Sequence, residues 1–318
     1  MTCRVLQPWP EPPPALDLGS WDPATPGIDG AAAGWATLLD AVAEHPVLGA
    51  AWSGNAAALG PLTPELWDGA AVRSVCAARS SLDSQVAALF RSVNVGAVFE
   101  VAAAKRRRAT GDGDPGAYGE VVPYAFVRLL YRVLRAHAKI ADAPNWGTFV
   151  DVGSGSGIGV FAALLALPFE RCAGVELLWE MHRVAEIAAQ RLAKQAGEGC
   201  VLQKHSDDHV TLTVGQNCAA ELLCADALAP GGRAAALLAE ASCVFCNCIS
   251  WPSEIKLALS EAVTRVGAVL LMTAPLPVSC SVATAGDAQT AAAWVVYTTF
   301  CALSFTPSGR IYLYVRRR

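Results

Sequence analysis

The feature that most constrains this chain is Asp151-Val152-Gly153-Ser154-Gly155-Ser156-Gly157, which closes an apolar run at residues 148–152 and opens an apolar stretch at residues 157–167. A strand ending on an acidic residue, a turn rich in glycine and a helix directly after it are how a nucleoside-binding βαβ unit begins. Glycines allow the turn to be tight and let a ligand approach the backbone. A second short strand at residues 172–176 ends on Glu176, 25 positions after Asp151, where a ribose would present its hydroxyls. Gly-x-Gly-x-x-Gly is absent, because Ile158 fills the third slot counted from Gly153, and no phosphate loop with its lysine is present. An acidic residue two positions before the first glycine repels a pyrophosphate and suits a ligand with a cationic amino-acid end. S-adenosylmethionine is such a ligand.

Around this unit the text alternates strand and helix. Strands are expected at residues 221–224, 242–246 and 268–273, helices at 179–195, 233–240 and 253–264, and a terminal hairpin at 294–300 and 311–315 that turns at Pro307-Ser308-Gly309. Alternation of this kind predicts an α/β fold with a mostly parallel, doubly covered sheet, here seven-stranded and Rossmann-like. Residues 1–116 read as a Pro- and Gly-rich tail and a helical region (helices at 35–44, 64–79 and 82–103), and residues 117–318 as the catalytic domain. A further helix is expected at 124–139, with Arg128, Arg132 and Arg135 near one face.

Apolar residues make up 53% of the chain and charged residues 16%, which excludes an extended disordered protein. No apolar run reaches the roughly 18 residues of a spanning helix. The N-terminus lacks an apolar stretch of signal-peptide length, so a soluble intracellular protein is expected. Eleven cysteines spread over 318 residues, mostly in apolar settings, fit a reducing compartment. The net charge of −4 is uneven: residues 105–140 hold eight basic and three acidic side chains, while residues 141–309 hold eight and fifteen. Lys105-Arg106-Arg107-Arg108 therefore reads as a local anionic contact, a solvated helix end or an import signal.

Two further strand ends carry candidate chemistry. Asp226 follows the third strand and faces the same crevice, as an acceptor for an adenine amino group or as the cap of the next helix. Asn247 follows Cys243-Val244-Phe245-Cys246 and lies where the transferred group would be, with Trp251 as a wall. Cys243 and Cys246 alternate to opposite faces of a strand and find no second ligand pair, so no metal is expected. His205, Asp207, Asp208 and His209 read as a solvated loop.

The order Tyr118-Gly119-Glu120, Asp151 to Gly157, Gly174-Val175-Glu176, Asp226, Val244-Phe245-Cys246-Asn247 and Tyr312-Leu313 resembles the disruptor-of-telomeric-silencing (Dot-one-like, non-SET) methyltransferases, over about residues 117–315. These enzymes methylate a lysine in the globular core of histone H3. The resemblance implies a nuclear histone-lysine N-methyltransferase using S-adenosylmethionine, with the nucleosome as partner; Lys105–Arg108, outside the stretch that resembles the family, would then be a contact to its DNA or, equally, a solvated helix end or an import signal. It implies that Tyr118 and Glu120 fold over the cofactor's methionine end, that Asp151, Gly153 and Gly155 bind that end, and that Glu176 and Asp226 bind ribose and adenine. Asn247 would touch the cofactor and, with Tyr312, Trp251 and Phe305, line the lysine channel. Val121, Ala227 and Cys248 differ from the family's usual residues. Two other readings stand beside it: a different S-adenosylmethionine-dependent methyltransferase acting on RNA or a small amine, and an inactive chromatin-binding scaffold.

Overall fold

The computed structural model describes residues 82–110, 119–137, 146–215, 218–277, 282–284, 294–303 and 306–317. All lie in the second of two compact units, Met1–Ser81 and Leu82–Arg318. The helices expected at 35–44 and 64–79 lie outside the described residues.

The unit opens with α1, residues 82–89, and α2, Val95–Thr110. A single helix over 82–103 is thus replaced by two. The chain turns at Ser92, which adopts φ 66°, and Asn94 Oδ1 then accepts the Ala97 N–H at 3.1 Å, restarting the helix. Lys105–Arg108 sit inside α2 instead of following it. Helix α3, Pro123–His137, starts on a proline whose missing N–H costs nothing at a first helical position. Its buried stripe, Phe126, Val127, Leu130 and Leu134, repeats at helical spacing.

Strand β1, Thr148–Val152, is buried throughout and is followed by α4, Ile158–Ala166. Then come β2 (Arg171–Glu176), α5 (Trp179–Ala196), β3 (Cys200–Ser206), β4 (His209–Val214), β5 (Cys218–Cys224) and α6 (Arg233–Glu240). The chain ends with β6 (Cys243–Cys246), α7 (Ser253–Ala262), β7 (Val269–Met272), β8 (Val282–Thr284), β9 (Trp294–Leu303) and β10 (Thr306–Arg316).

These strands form one sheet in the order β3-β4-β5-β2-β1-β6-β7-β10-β9-β8. The five from β5 to β7 are parallel. Strand order reverses beside β1, with β2 on one flank and β6 on the other, and ligands in open α/β sheets bind at such a switch point. Side chains of β1 alternate. Val150 and Val152 join Leu237, Leu238, Leu259 and Val263 in one cluster, while Phe149 meets Phe126 of α3, which also packs edge-on to Phe245 at 4.8 Å.

The sheet has ten strands, not the seven expected. The added β3–β4 hairpin replaces the expected polar loop: Val210, Leu212 and Val214 are buried against α5 while the residues between them stay half-exposed, and Asp207-Asp208 make the turn. Short β8 adds a tenth strand on the far side of β9. The terminal hairpin is present, but Pro307–Gly309 lie within β10, at a shift of register between Thr306 and Gly309, and not at the turn. Strand β10 is inside the sheet, between β7 and β9. The seven cysteines whose side chains are described carry no disulfide, and no described helix is long and apolar enough to cross a membrane.

Phe126 joins α3 to the sheet from a site with no exposure. Phe126→Ala is expected to lower the unfolding free energy by about 3–5 kcal/mol with an unchanged m-value in urea. A loss under about 1 kcal/mol would show that α3 is not seated through this ring.

Candidate functional site

The glycine turn is held in place by its neighbour strand. Gly153 and Ser154 both donate their N–H to the Val175 carbonyl, at 2.8 and 3.2 Å. Gly155, at φ 56°, then turns its N–H onto Glu176 Oε2 at 2.7 Å, a conformation that a side chain there would strain. Glu176 Oε1 accepts the Leu178 N–H at 2.8 Å. One carboxylate thus ties the turn after β1 to the start of α5, and each of its oxygens retains lone-pair capacity for a ligand hydroxyl. Burial pushes the Glu176 carboxyl up, and the N–H donors from Leu178, Gly155 and Leu177, with the Arg106 charge, oppose the rise.

Asp151 lies under the turn, 5% exposed. A Cβ on Gly159 would lie 2.5 Å from its Oδ2, so the bare second residue of α4 makes room for the carboxyl. Likewise a Cβ on Gly174 would meet Ser154 Oγ at 2.8 Å and Val160 Cγ2 at 2.9 Å, so β2 can pass under the turn only as glycine. Burial pushes the Asp151 carboxyl up to about 8, and the charge of Glu176 adds to the rise.

Over this floor passes the segment Gly119-Glu120. Glu120 Oε1 accepts a hydrogen bond from Ser156 Oγ at 2.5 Å, and the Gly119 carbonyl accepts one from Asn247 Nδ2 at 2.7 Å. Asn247 Oδ1 in turn accepts the Thr273 hydroxyl at 3.0 Å. Val152, Cys246, Met272 and Tyr312 form one row across β1, β6, β7 and β10, so Gly153, Asn247 and Thr273 form the next row, at the rim. The Trp251 ring closes over the turn, with Cζ2 3.2 Å from where a Gly153 Cβ would be.

Asp226 is exposed just beyond β5, where its Oδ1 accepts the Leu228 N–H at 2.9 Å; next to it the Ala225 N–H reaches the Glu176 carbonyl. Asp226 therefore supports a local turn and stands at the rim on the β2 side. Tyr118 and Phe305 lie outside the described residues. Lys105 pairs with Glu180 of α5 at 2.5 Å, so the basic run begins docked beside the end of β2, while Arg107 and Arg108 are exposed.

His205 and His209 stack at 4.5 Å across the β3–β4 hairpin, and no cluster of three metal-binding side chains occurs among the described residues. Sequence reasoning missed Gly159 and Thr273, and gave Ser156 and Gly174 no role beyond their place in a motif. Thr273 left one trace, as the polar residue ending an otherwise apolar strand.

No family model matches this sequence, and none of the curated proteins is similar to it. Among solved structures, Trm1 from Pyrococcus horikoshii in complex with S-adenosyl-L-methionine is 15% identical, over 50% of this chain and 38% of its own, with a TM-score of 0.33. Magnesium protoporphyrin IX methyltransferase from Synechocystis PCC 6803 with bound S-adenosylmethionine is 16% identical, over 74% and 97%, at 0.33. The antibiotic-resistance methyltransferase Kmr is 17% identical, over 57% and 91%, also at 0.33.

The height of the Asp151 carboxyl sets a pH dependence. Folded, it holds its proton to about 8 against an ordinary 3.8. The stability this contributes is fully present below about pH 4 and is lost as pH rises through about 8, because the unfolded chain gives the proton up earlier. In the ligand-free protein, unfolding free energy should fall from pH 5 to 8 more steeply in the wild type than in Asp151→Asn, by up to ~1.4 kcal/mol per pH unit. Parallel urea-denaturation profiles would show that Asp151 ionises normally.

Proposed function

We propose that this chain is an S-adenosylmethionine-dependent methyltransferase, and that its acceptor is a lysine in the globular core of histone H3 within the nucleosome. The observation that carries the cofactor is the acidic pair Asp151 and Glu176 around a glycine turn at the sheet's switch point, with Gly155 donating to Glu176 at 2.7 Å. Glu176 accepts from hydroxyls, and a buried Asp151 that ionises when a positive group arrives favours a ligand with a cationic end. The residues fit such a ligand: Asp151 lies by the turn for its cationic end, Glu176 reaches hydroxyls, and Asp226 stands beyond β5 for the base.

Bound there, the sulfonium supplies a methyl group for in-line transfer to an amine. The chain's own part is alignment and dryness. Glu120, held by Ser156, covers the methionine end, and Trp251 with Tyr312 walls the approach so that the incoming amine loses water and arrives uncharged. No nucleophilic side chain is needed. The acceptor rests on the motif order that includes Tyr118-Gly119-Glu120 and Asn247, and nuclear location and nucleosome contact through Lys105–Arg108 belong to the same proposal. A small cationic amine is the second reading, favoured by the acidity of the crevice; an RNA acceptor and an inactive scaffold are outcomes that the same experiment separates.

Tritiated methyl transfer is measured on nucleosomes, free core histones, RNA and small amines together. Label on histone H3, lost in Asn247→Ala, is the expected result. Label on RNA or a small amine keeps the cofactor and overturns the acceptor; absence of cofactor binding by calorimetry favours the scaffold. Gly155→Arg is expected to abolish cofactor binding, and unchanged affinity would sink the cofactor assignment. Replacing Lys105–Arg108 with Ala should lower activity on nucleosomes and flatten its salt dependence, by roughly one unit of log–log slope for each phosphate no longer neutralised. Equal slopes would exclude the DNA interaction.

A further inference from the structure

The amide of Asn247 can be oriented without ambiguity. The Gly119 carbonyl only accepts hydrogen bonds, so the group 2.7 Å from it is the Nδ2 amine and the group facing Thr273 is the oxygen. Thr273 must then donate, and its single hydroxyl proton is committed to Asn247. Thr273 is buried directly after β7, where its own N–H reaches the Cys246 carbonyl at 3.3 Å and so holds it beside the end of β6.

We propose that Thr273 is a positioning residue: its hydroxyl fixes the Asn247 amide in the one orientation that clasps the Gly119 carbonyl, and so holds the Gly119-Glu120 segment down over the crevice. The proposal rests on the reading that this crevice takes S-adenosylmethionine, and deepens it. Two of the segment's fastenings are Asn247 to Gly119 and Ser156 to Glu120. The second ties it to the glycine turn. The first ties it to β6 and, through Thr273, to β7, on the side where the acceptor is proposed to enter. Without the Thr273 proton, the Asn247 oxygen has no donor on the β7 side, and turning the amide over places an oxygen against the Gly119 carbonyl, where it repels. Thr273 therefore acts on the segment through Asn247.

The test has one readout that needs no cofactor. In ligand-free protein, Thr273→Val removes the hydroxyl at nearly constant shape, and hydrogen exchange is followed in peptides spanning residues 119–122. Faster exchange there, with the sheet unchanged and Thr273→Ser restoring protection, is expected. Unchanged exchange in Thr273→Val overturns the proposal. Asn247→Asp is the second variant should Thr273→Val fail to fold: it keeps an acceptor for Thr273 but turns an oxygen onto Gly119, and protection of residues 119–122 at the wild-type level would also overturn the proposal. Calorimetry with S-adenosylmethionine adds the ligand: Thr273→Val is expected to bind about tenfold more weakly, the scale of one missing hydrogen bond, and Thr273→Ser within about twofold of wild type. Faster exchange in a protein whose wild type binds no S-adenosylmethionine would leave the clasp standing and overturn the cofactor reading alone.

Discussion

The site depends on a single buried carboxylate. Glu176 accepts N–H groups from Gly155 and Leu178 on its two oxygens, and thereby fixes both the turn that follows β1 and the first turn of α5. Removing a charged acceptor from water is costly unless donors replace the lost hydration, and here the backbone supplies them. The packing about the turn is arranged around that point. Gly174 is bare because the turn so held presses on β2, Gly159 is bare because Asp151 must fit beneath, and Trp251 can lie over Gly153 because the turn does not move away from it.

The segment above the turn shows how distant parts of the chain are joined. Asn247 lies 128 residues from Gly119, and Thr273 lies 26 beyond Asn247. The pairing of Val152 with Cys246 and of Cys246 with Met272 brings Asn247 and Thr273 to one row beyond the strand ends, and Gly119 meets that row through the Asn247 amide. A polar row at the ends of buried strands is also where unsatisfied groups would be most expensive, which is why each described amide or hydroxyl in it has a partner.

How much can be read beforehand follows from how local each signal is. Asp151, the glycine turn and Glu176 are legible because the strand–turn–helix pattern sits within about 30 residues. The strand ends that carry Asp226 and Asn247 are legible for the same reason. What Asn247 holds is not, since neither Gly119 nor Thr273 is marked in the sequence as its partner. The β3–β4 hairpin is hidden because His205, Asp207, Asp208 and His209 give its centre the composition of a loop, although Val210, Leu212 and Val214 already alternate. The break at Ser92 and Asn94 is hidden because the apolar spacing of a helix continues across it, and one capping side chain decides the matter. Pro307-Ser308-Gly309 reads as a turn because a bulge within a strand uses the same residues.

The protonated state of Asp151 has a consequence for how the crevice takes up charge. With its carboxyl raised to about 8, the ligand-free site is close to neutral on that side at physiological pH. A positive group docking there would favour the ionised form and drive the proton out, so that its uptake would trade a proton for a cation. Little net charge is then created in the low-dielectric interior, and the heat of uptake includes that of the buffer that receives the proton.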